Sequence, residues 1–406
     1  MTATITASAN PAARRPLTVP GPPTRPSSGL AHRTAQPAEA ARASQPSKAA
    51  PGPQPSGAPQ ASAAPRSASA PQASAAPQTL PLAGAITAGL AAAMERDDSV
   101  ILLGEDIGPL GGVFRVTQGL QERFGADRVR DTPLAESGIV GTAIGMALAG
   151  YRPVVEIQFD GFVFPAFNQI TTQLAKLRYR SEGDLQVPVV IRIPYGGDIG
   201  AIEHHSESPE TYFAHTAGLR VVSPSSPADA YAMIQQAIAC PDPVIFLEPK
   251  SRYWQKGEVA TAVDLSPDGI VRELESARTV RPGRDVTLVG YGPTVATLQK
   301  AARAAAEDGV EAEVIDLRSV SPLDVPAVAA SVRRTGRLVI VHEAPTHFGP
   351  GAELAARISE ECFFSLEAPV IRVGGFHTPY PANSHEHAYL PGEDRILDAI
   401  ERVLSH

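Results

Sequence analysis

From about Leu82 onward, short fully apolar runs alternate with longer stretches of helical periodicity. The runs at 100–103, 154–157, 189–193, 219–222 and 244–247 predict strands, with helices over 136–149, 163–181 and 227–239 between them. Strands that lack polar alternation and are joined by helices predict a parallel sheet covered on both faces. A charged, turn-rich stretch around 250–280 interrupts the pattern. A second series follows, with strands at 286–289, 313–315, 338–341 and 370–373 and helices over about 294–308, 324–334, 351–361 and 394–404. The expected fold class is therefore α/β, with two tandem parallel-sheet domains at 81–255 and 281–406 and a linker at 256–280.

Residues 1–80 are different. They hold 15 of the 39 prolines, and the octapeptide Ala-Pro-Gln-Ala-Ser-Ala-Ala-Pro occurs at 58–65 and again at 70–77. So little apolar surface, broken so often by proline, predicts a disordered, partly extended tail. Seven basic residues stand there against the single acid Glu39, a net charge of +6 against -14 for the remainder. The acidic body argues against a nucleic-acid partner. A solubilising appendage, a tether to a larger assembly and a cleaved organelle presequence are the three roles open to the tail.

Two cysteines far apart, Cys240 and Cys362, give neither a metal spacing nor a disulfide framework. No apolar stretch approaches the roughly 18 residues of a membrane span. With no secretory signal visible, a cytoplasmic location is the expectation, and a mitochondrial one if the tail is a presequence.

Phosphate-loop, complete dinucleotide and nucleophile-elbow motifs are missing. Gly290-Tyr291-Gly292 follows a strand without a third glycine, and Thr294 is expected to cap the next helix. His385 and His387, with His377 nearby, read as a solvated loop rather than a metal site. Glu136 opens a helix, where the macrodipole favours an acid. Gly138, Gly141 and Gly145 recur on one face of that helix. Each costs roughly 1 kcal/mol against Ala, so the face needs a packing reason such as a subunit or domain interface.

Several blocks together carry a resemblance. They are Gly104-Glu105-Asp106-Ile107-Gly108, Gly111-Gly112-Val113-Phe114, Asp131-Thr132-Pro133-Leu134-Ala135-Glu136, and Glu156-Ile157-Gln158-Phe159. Further on come Ala175-Lys176-Leu177-Arg178-Tyr179, His205-Ser206-Glu207-Ser208-Pro209-Glu210, and Phe246-Leu247-Glu248-Pro249-Lys250. Val314-Ile315-Asp316-Leu317-Arg318 and His342-Glu343-Ala344 complete the series. In this order the chain resembles the beta subunit of the thiamine-diphosphate-dependent decarboxylase component of 2-oxo acid dehydrogenases.

The resemblance implies a transketolase-like pyrimidine-binding domain followed by a transketolase C-terminal domain. It also implies an alpha partner, in an alpha2beta2 assembly, that holds the diphosphate and Mg²⁺ through a Gly-Asp-Gly…Asn motif absent here. Glu136 matches the glutamate that hydrogen-bonds the pyrimidine N1′, where an acid favours the imino tautomer that deprotonates the thiazolium. Gln158 and Phe162 match positions at the pyrimidine, with Phe162 placed for stacking where many relatives have Tyr. His205 matches a histidine at the substrate end. Both Glu136 and His205 are thus candidate catalytic residues, and Glu136, Gln158 and Phe162 candidate cofactor contacts. His377 stands where relatives often carry Asp. Some relatives hold K⁺ through backbone carbonyls near the segment matching 237–243.

The implied reaction is oxidative decarboxylation of a 2-oxo acid, with branched-chain acids slightly favoured and pyruvate or acetoin cleavage as alternatives. The acyl group would pass to the lipoyl arm of an acyltransferase core. A catalytically silent assembly subunit is the rival from another class.

Overall fold

In the computed structural model, residues 77–260, 263, 265 and 272–406 are described. Residues 1–76, nearly all of the expected tail, lie outside them. Fourteen strands are present among the described residues. The first eight are β1 (Gln78–Pro81), β2 (Val100–Gly104), β3 (Val129–Asp131), β4 (Arg152–Glu156), β5 (Val190–Tyr195), β6 (Arg220–Val222), β7 (Val244–Pro249) and β8 (Lys256–Val259). The last six are β9 (Arg278–Arg281), β10 (Val286–Gly290), β11 (Ala312–Asp316), β12 (Ser319–Ser321), β13 (Leu338–Pro345) and β14 (Ile371–Gly375).

Successive side chains of a strand point to opposite faces. Here both faces are apolar and both are covered. Val100, Leu102, Val154, Val190, Val244 and Phe246 meet the helices Leu82–Arg96 and Pro227–Ala239. Ile101, Leu103, Val155, Ile191, Ile193 and Ile245 face the other way, onto the helix Glu136–Leu148. The resulting seven-stranded sheet runs β12-β6-β7-β5-β4-β2-β3, parallel except for β12. A five-stranded sheet, β14-β13-β10-β11-β9, is parallel except for β9. Val289, Ile315, Leu338 and Ile340 of this second sheet belong to the same buried cluster as Ile191 and Ile245, so one core runs between the two sheets.

Five details depart from the expectation. The stretch 163–181 is not one helix. It divides into a 3₁₀ segment, Asp160–Ala166, a π segment, Gln169–Leu174, and the α-helix Ala175–Arg180. Pro165 lacks the amide that a regular helix needs. The hydroxyls of Thr171 and Thr172 donate back to the carbonyls of Phe167 and Asn168, a competition that loosens the helical ladder. Thr294 is the first helical residue rather than the cap, and its hydroxyl donates to the carbonyl of Tyr291.

The supposed loop around His385 and His387 is a short helix, Asn383–Tyr389. Glu386 fixes it by accepting the amides of Asp198 and Gly200 and the hydroxyl of Tyr380. The expected linker contains β8, which pairs with β1, and the helix Arg272–Glu275. Finally, β12 follows β11 in the chain yet extends the first sheet beside β6, so the second half of the chain completes the first sheet.

No helix of the described residues is long and apolar enough to cross a membrane. Cys240 and Cys362 are free and buried.

Buried acids join the two halves. Glu210 accepts from the Tyr291 hydroxyl at 2.5 Å, and Glu343 accepts from the Gly197 amide at 2.9 Å. Burial pushes both carboxyls up to about 7. A folded-state value raised above the unfolded one contributes stability that is complete below the unfolded value near 4.5. That contribution is lost as pH rises through about 7. Glu210→Gln keeps an acceptor for Tyr291 and removes the ionisation. Urea denaturation of this variant is therefore expected to match the parent chain at pH 4 and to show higher stability at pH 8.

Candidate active site

Open parallel sheets place their reactive groups beyond the carboxyl ends of the strands. Four neighbouring strands of the seven-stranded sheet do so here. Glu105 directly follows β2, and Glu136 follows β3. Gln158 and Phe162 follow β4, and His205 lies in the connection after β5.

Glu136 is the first residue of its helix and only 8% exposed. The loop before it is held by the Thr132 amide donating to the Gly104 carbonyl and by the Asp131 carboxylate accepting from the Gly108 amide. These bonds place the end of β3 against the end of β2. Glu105 is as buried as Glu136. Burial, together with the negative charges of Glu136 and Asp106, holds its carboxyl above the usual range. One of its carboxylate oxygens is buried without a hydrogen-bond partner. In the sequence Glu105 is only one residue of the block Gly104–Gly108, with no role of its own. The available signal was an acid immediately after a wholly buried strand.

Gln158 reaches this pair weakly, its side-chain amide lying 3.4 Å from the Glu105 carbonyl. His205 sits apart from Glu136, in an aromatic setting. Its ring centroid is 4.1 Å from that of Phe159 and 5.2 Å from that of Phe162. Burial, and then the neighbouring His204, push its imidazole below the ordinary value, so the ring is neutral at physiological pH. Its Nδ1 is buried and has no partner. The structure thus makes two groups, Glu105–Glu136–Gln158 and Phe162–His205, joined by the chain from 158 to 162. Buried polar atoms without partners are rare in folded chains, and a bound ligand is one way to satisfy them.

Three further features bear on the expectations. The glycine face of the helix Glu136–Leu148 meets nothing within the described chain. Gly138, Gly141 and Gly145 are exposed, and a Cβ on Gly141 or Gly145 would have no neighbour within 4 Å. Around 237–243, the Arg152 guanidinium donates to the Ile238 carbonyl at 2.7 Å and lies 3.5 Å from that of Cys240. Asp242 is held there by Arg178 and Arg220. A protein cation therefore already occupies carbonyls of the segment considered for K⁺. His377 stacks on His347 at 4.1 Å and belongs to neither of the two groups.

Residues 78–255 match the transketolase pyrimidine-binding domain, and residues 275–396 match the transketolase C-terminal domain. The chain is 58% identical over 328 residues to a pyruvate dehydrogenase E1 component subunit beta of Leifsonia xyli subsp. xyli, covering 81% of this chain and 96% of that one. It is 54% identical over 327 residues to a 3-methyl-2-oxobutanoate dehydrogenase subunit beta of Mycobacterium tuberculosis, covering 80% and 92%. A 2-oxoisovalerate dehydrogenase subunit beta of Pseudomonas aeruginosa is 45% identical over 341 residues, covering 80% and 95%. A solved structure described as a split gene transketolase, inactive beta4 tetramer, matches with a TM-score of 0.61 at 20% identity, covering 80% of this chain and 98% of that one. At that identity the likeness shows the fold alone.

Proposed function

The chain belongs to the family of 2-oxo acid dehydrogenase beta subunits, and on that premise we propose that it supplies half of a thiamine-diphosphate site completed by an alpha subunit. The observation that carries this is the buried Glu136–Glu105 pair at the carboxyl ends of β3 and β2, with an unsatisfied carboxylate oxygen. The residues fit the pyrimidine half of the cofactor. Glu136 offers a carboxylate to a ring nitrogen, Gln158 an amide, and Phe162 a half-buried aromatic face. Nothing in the chain matches the Gly-Asp-Gly…Asn motif, so Mg²⁺ and the diphosphate fall to the alpha chain. We extend the proposal to a K⁺ held by backbone carbonyls of 237–243 other than that of Ile238, which Arg152 meets.

When bound, thiamine diphosphate supplies the electron sink for loss of CO₂. Glu136 holds a proton at the pyrimidine N1′ and so sets the protonation state of that ring. Glu105, whose carboxyl is held above the usual range by burial and by the charges of Glu136 and Asp106, lies beside Glu136. His205, neutral and with a free ring nitrogen, exchanges a proton or a hydrogen bond at the substrate end. The open glycine face of the helix Glu136–Leu148 supports a close helix–helix contact with another subunit. A lipoyl acyltransferase core is the proposed acceptor of the acyl group.

Branched-chain 2-oxo acids are the proposed substrates, in line with the names of the Mycobacterium and Pseudomonas relatives. Pyruvate is the second reading, favoured by the name of the Leifsonia relative. Steady-state turnover of the alpha–beta assembly with 3-methyl-2-oxobutanoate and with pyruvate separates them. The expected result is a higher kcat/KM for the branched acid, whereas a higher value for pyruvate establishes the second reading.

A further inference from the structure

His205 is presented by a connection with little regular structure of its own, only the three-residue turn Glu203–His205 and, beyond it, the five-residue helix Glu210–Ala214. Something must hold it still. Asp160, which begins the segment after β4, is buried and forms an ion pair with Lys250 at 2.5 Å. Lys250 directly follows β7, 90 residues away in sequence, and is equally buried. The second carboxylate oxygen of Asp160 accepts the Glu207 amide at 2.9 Å, two residues beyond His205. The Glu207 carbonyl in turn accepts the Gly196 amide at 3.0 Å. Next to Asp160, Gly161 lies flat against the same turn. A Cβ there would stand 2.5 Å from the Cβ of His204 and 2.6 Å from its carbonyl oxygen. The Lys250 ammonium also lies 5.5 Å from the centre of the Phe159 ring, on which His205 rests.

We propose that the buried Asp160–Lys250 pair, with Gly161, is a latch that fixes the turn bearing His205, making Asp160 and Lys250 positioning residues for the substrate end of the site. The proposal rests on the placement of His205 made above. A buried ion pair is weak evidence for stability, because desolvation of both partners offsets their attraction. Its retention here is explained by the hydrogen bond it leaves for Glu207. One carboxylate oxygen neutralises Lys250 and the other holds the turn.

The test uses the assembled alpha–beta enzyme and two double variants. Asp160→Leu/Lys250→Met replaces the pair by apolar groups, leaves no unpaired buried charge, and removes the cross-chain acceptor of the Glu207 amide, which then keeps only the carbonyl of Glu203 within its own turn. Asp160→Asn/Lys250→Gln keeps an acceptor for Glu207 and a neutral hydrogen bond between the two side chains. Hydrogen–deuterium exchange of peptides covering 203–209 is expected to speed up in the apolar variant. Its kcat is expected to fall by about tenfold or more with KM little changed, since small displacements of a reacting group cost rate rather than binding.

The amide variant is expected to restore both readouts towards the parent. Gly161→Ala, which pushes on the turn without touching the pair, is expected to give the same loss of kcat should the apolar variant not fold. Parental exchange and kcat in the apolar variant would overturn the latch, as would equal impairment of the two double variants. His205→Ala with undiminished turnover would remove the role of His205 alone, because the exchange readout reports the latch without using turnover.

Discussion

Glu136→Gln is expected to lower turnover of the alpha–beta assembly by about 100- to 10,000-fold, the range typical of a lost acid–base group. Gln has the size of Glu and keeps an accepting oxygen, so the pocket is not emptied. What it lacks is a titratable proton for the pyrimidine ring. Glu136 is also the first residue of its helix, where an acid adds roughly 0.3–1 kcal/mol through the macrodipole. That loss is too small to unfold the chain. The assembly should therefore sediment as before and fail in a dye-coupled assay with a 2-oxo acid. Undiminished turnover would favour the rival role, a catalytically silent assembly subunit.

The second large effect concerns stability. Arg192 of β5 donates to Glu156 of β4 at 2.7 Å and to Glu248 of β7 at 2.6 and 3.0 Å. The Tyr253 hydroxyl donates to Glu248 as well, at 2.6 Å. All of these groups are buried, with Arg192 itself 1% exposed. Arg192→Met would strand two carboxylates away from water. Breaking a buried pair by removing one partner costs about 3–5 kcal/mol, and that loss is expected in urea denaturation. Neutralising the stranded partners should recover much of it, so Arg192→Met/Glu156→Gln/Glu248→Gln is expected to be clearly more stable than Arg192→Met. Equal stability of the single variant and the parent chain would mean that water reaches the site.

Much of the architecture was legible because a covered parallel strand needs a continuous apolar run. The runs at 100–103, 189–193 and 338–341 mark strands that the structure extends by one to four residues at their carboxyl ends. Those extensions carry polar or small residues such as Gly104, and Pro194 with Tyr195, which apolar periodicity does not register. The break at 163–181 was not legible, because its apolar residues keep helical spacing while Pro165 and two threonine hydroxyls undo the ladder. Strand β12 is Ser-Val-Ser, too short and too polar to declare itself or to reveal which sheet it joins.

The candidate site divides in the same way. Glu136, Gln158 and His205 lie in the blocks of the resemblance and Phe162 three residues beyond one, and they follow β3, β4 and β5, with β2 and Glu105 between β3 and β4. Nothing in the sequence distinguishes Glu105 from any acid in a turn after a strand. Only its burial and its proximity to Glu136 set it apart. The partnership of Asp160 with Lys250 depends on β4 and β7 flanking β5, and nothing local in the sequence announces that.

The most direct test of the half-site is calorimetric titration of thiamine diphosphate with Mg²⁺ into this chain alone, into its alpha partner alone, and into their assembly. Tight, stoichiometric binding by the assembly and by neither chain alone is the predicted result. Stoichiometric binding by this chain alone would contradict it, because the chain would then hold a complete cofactor site without a partner.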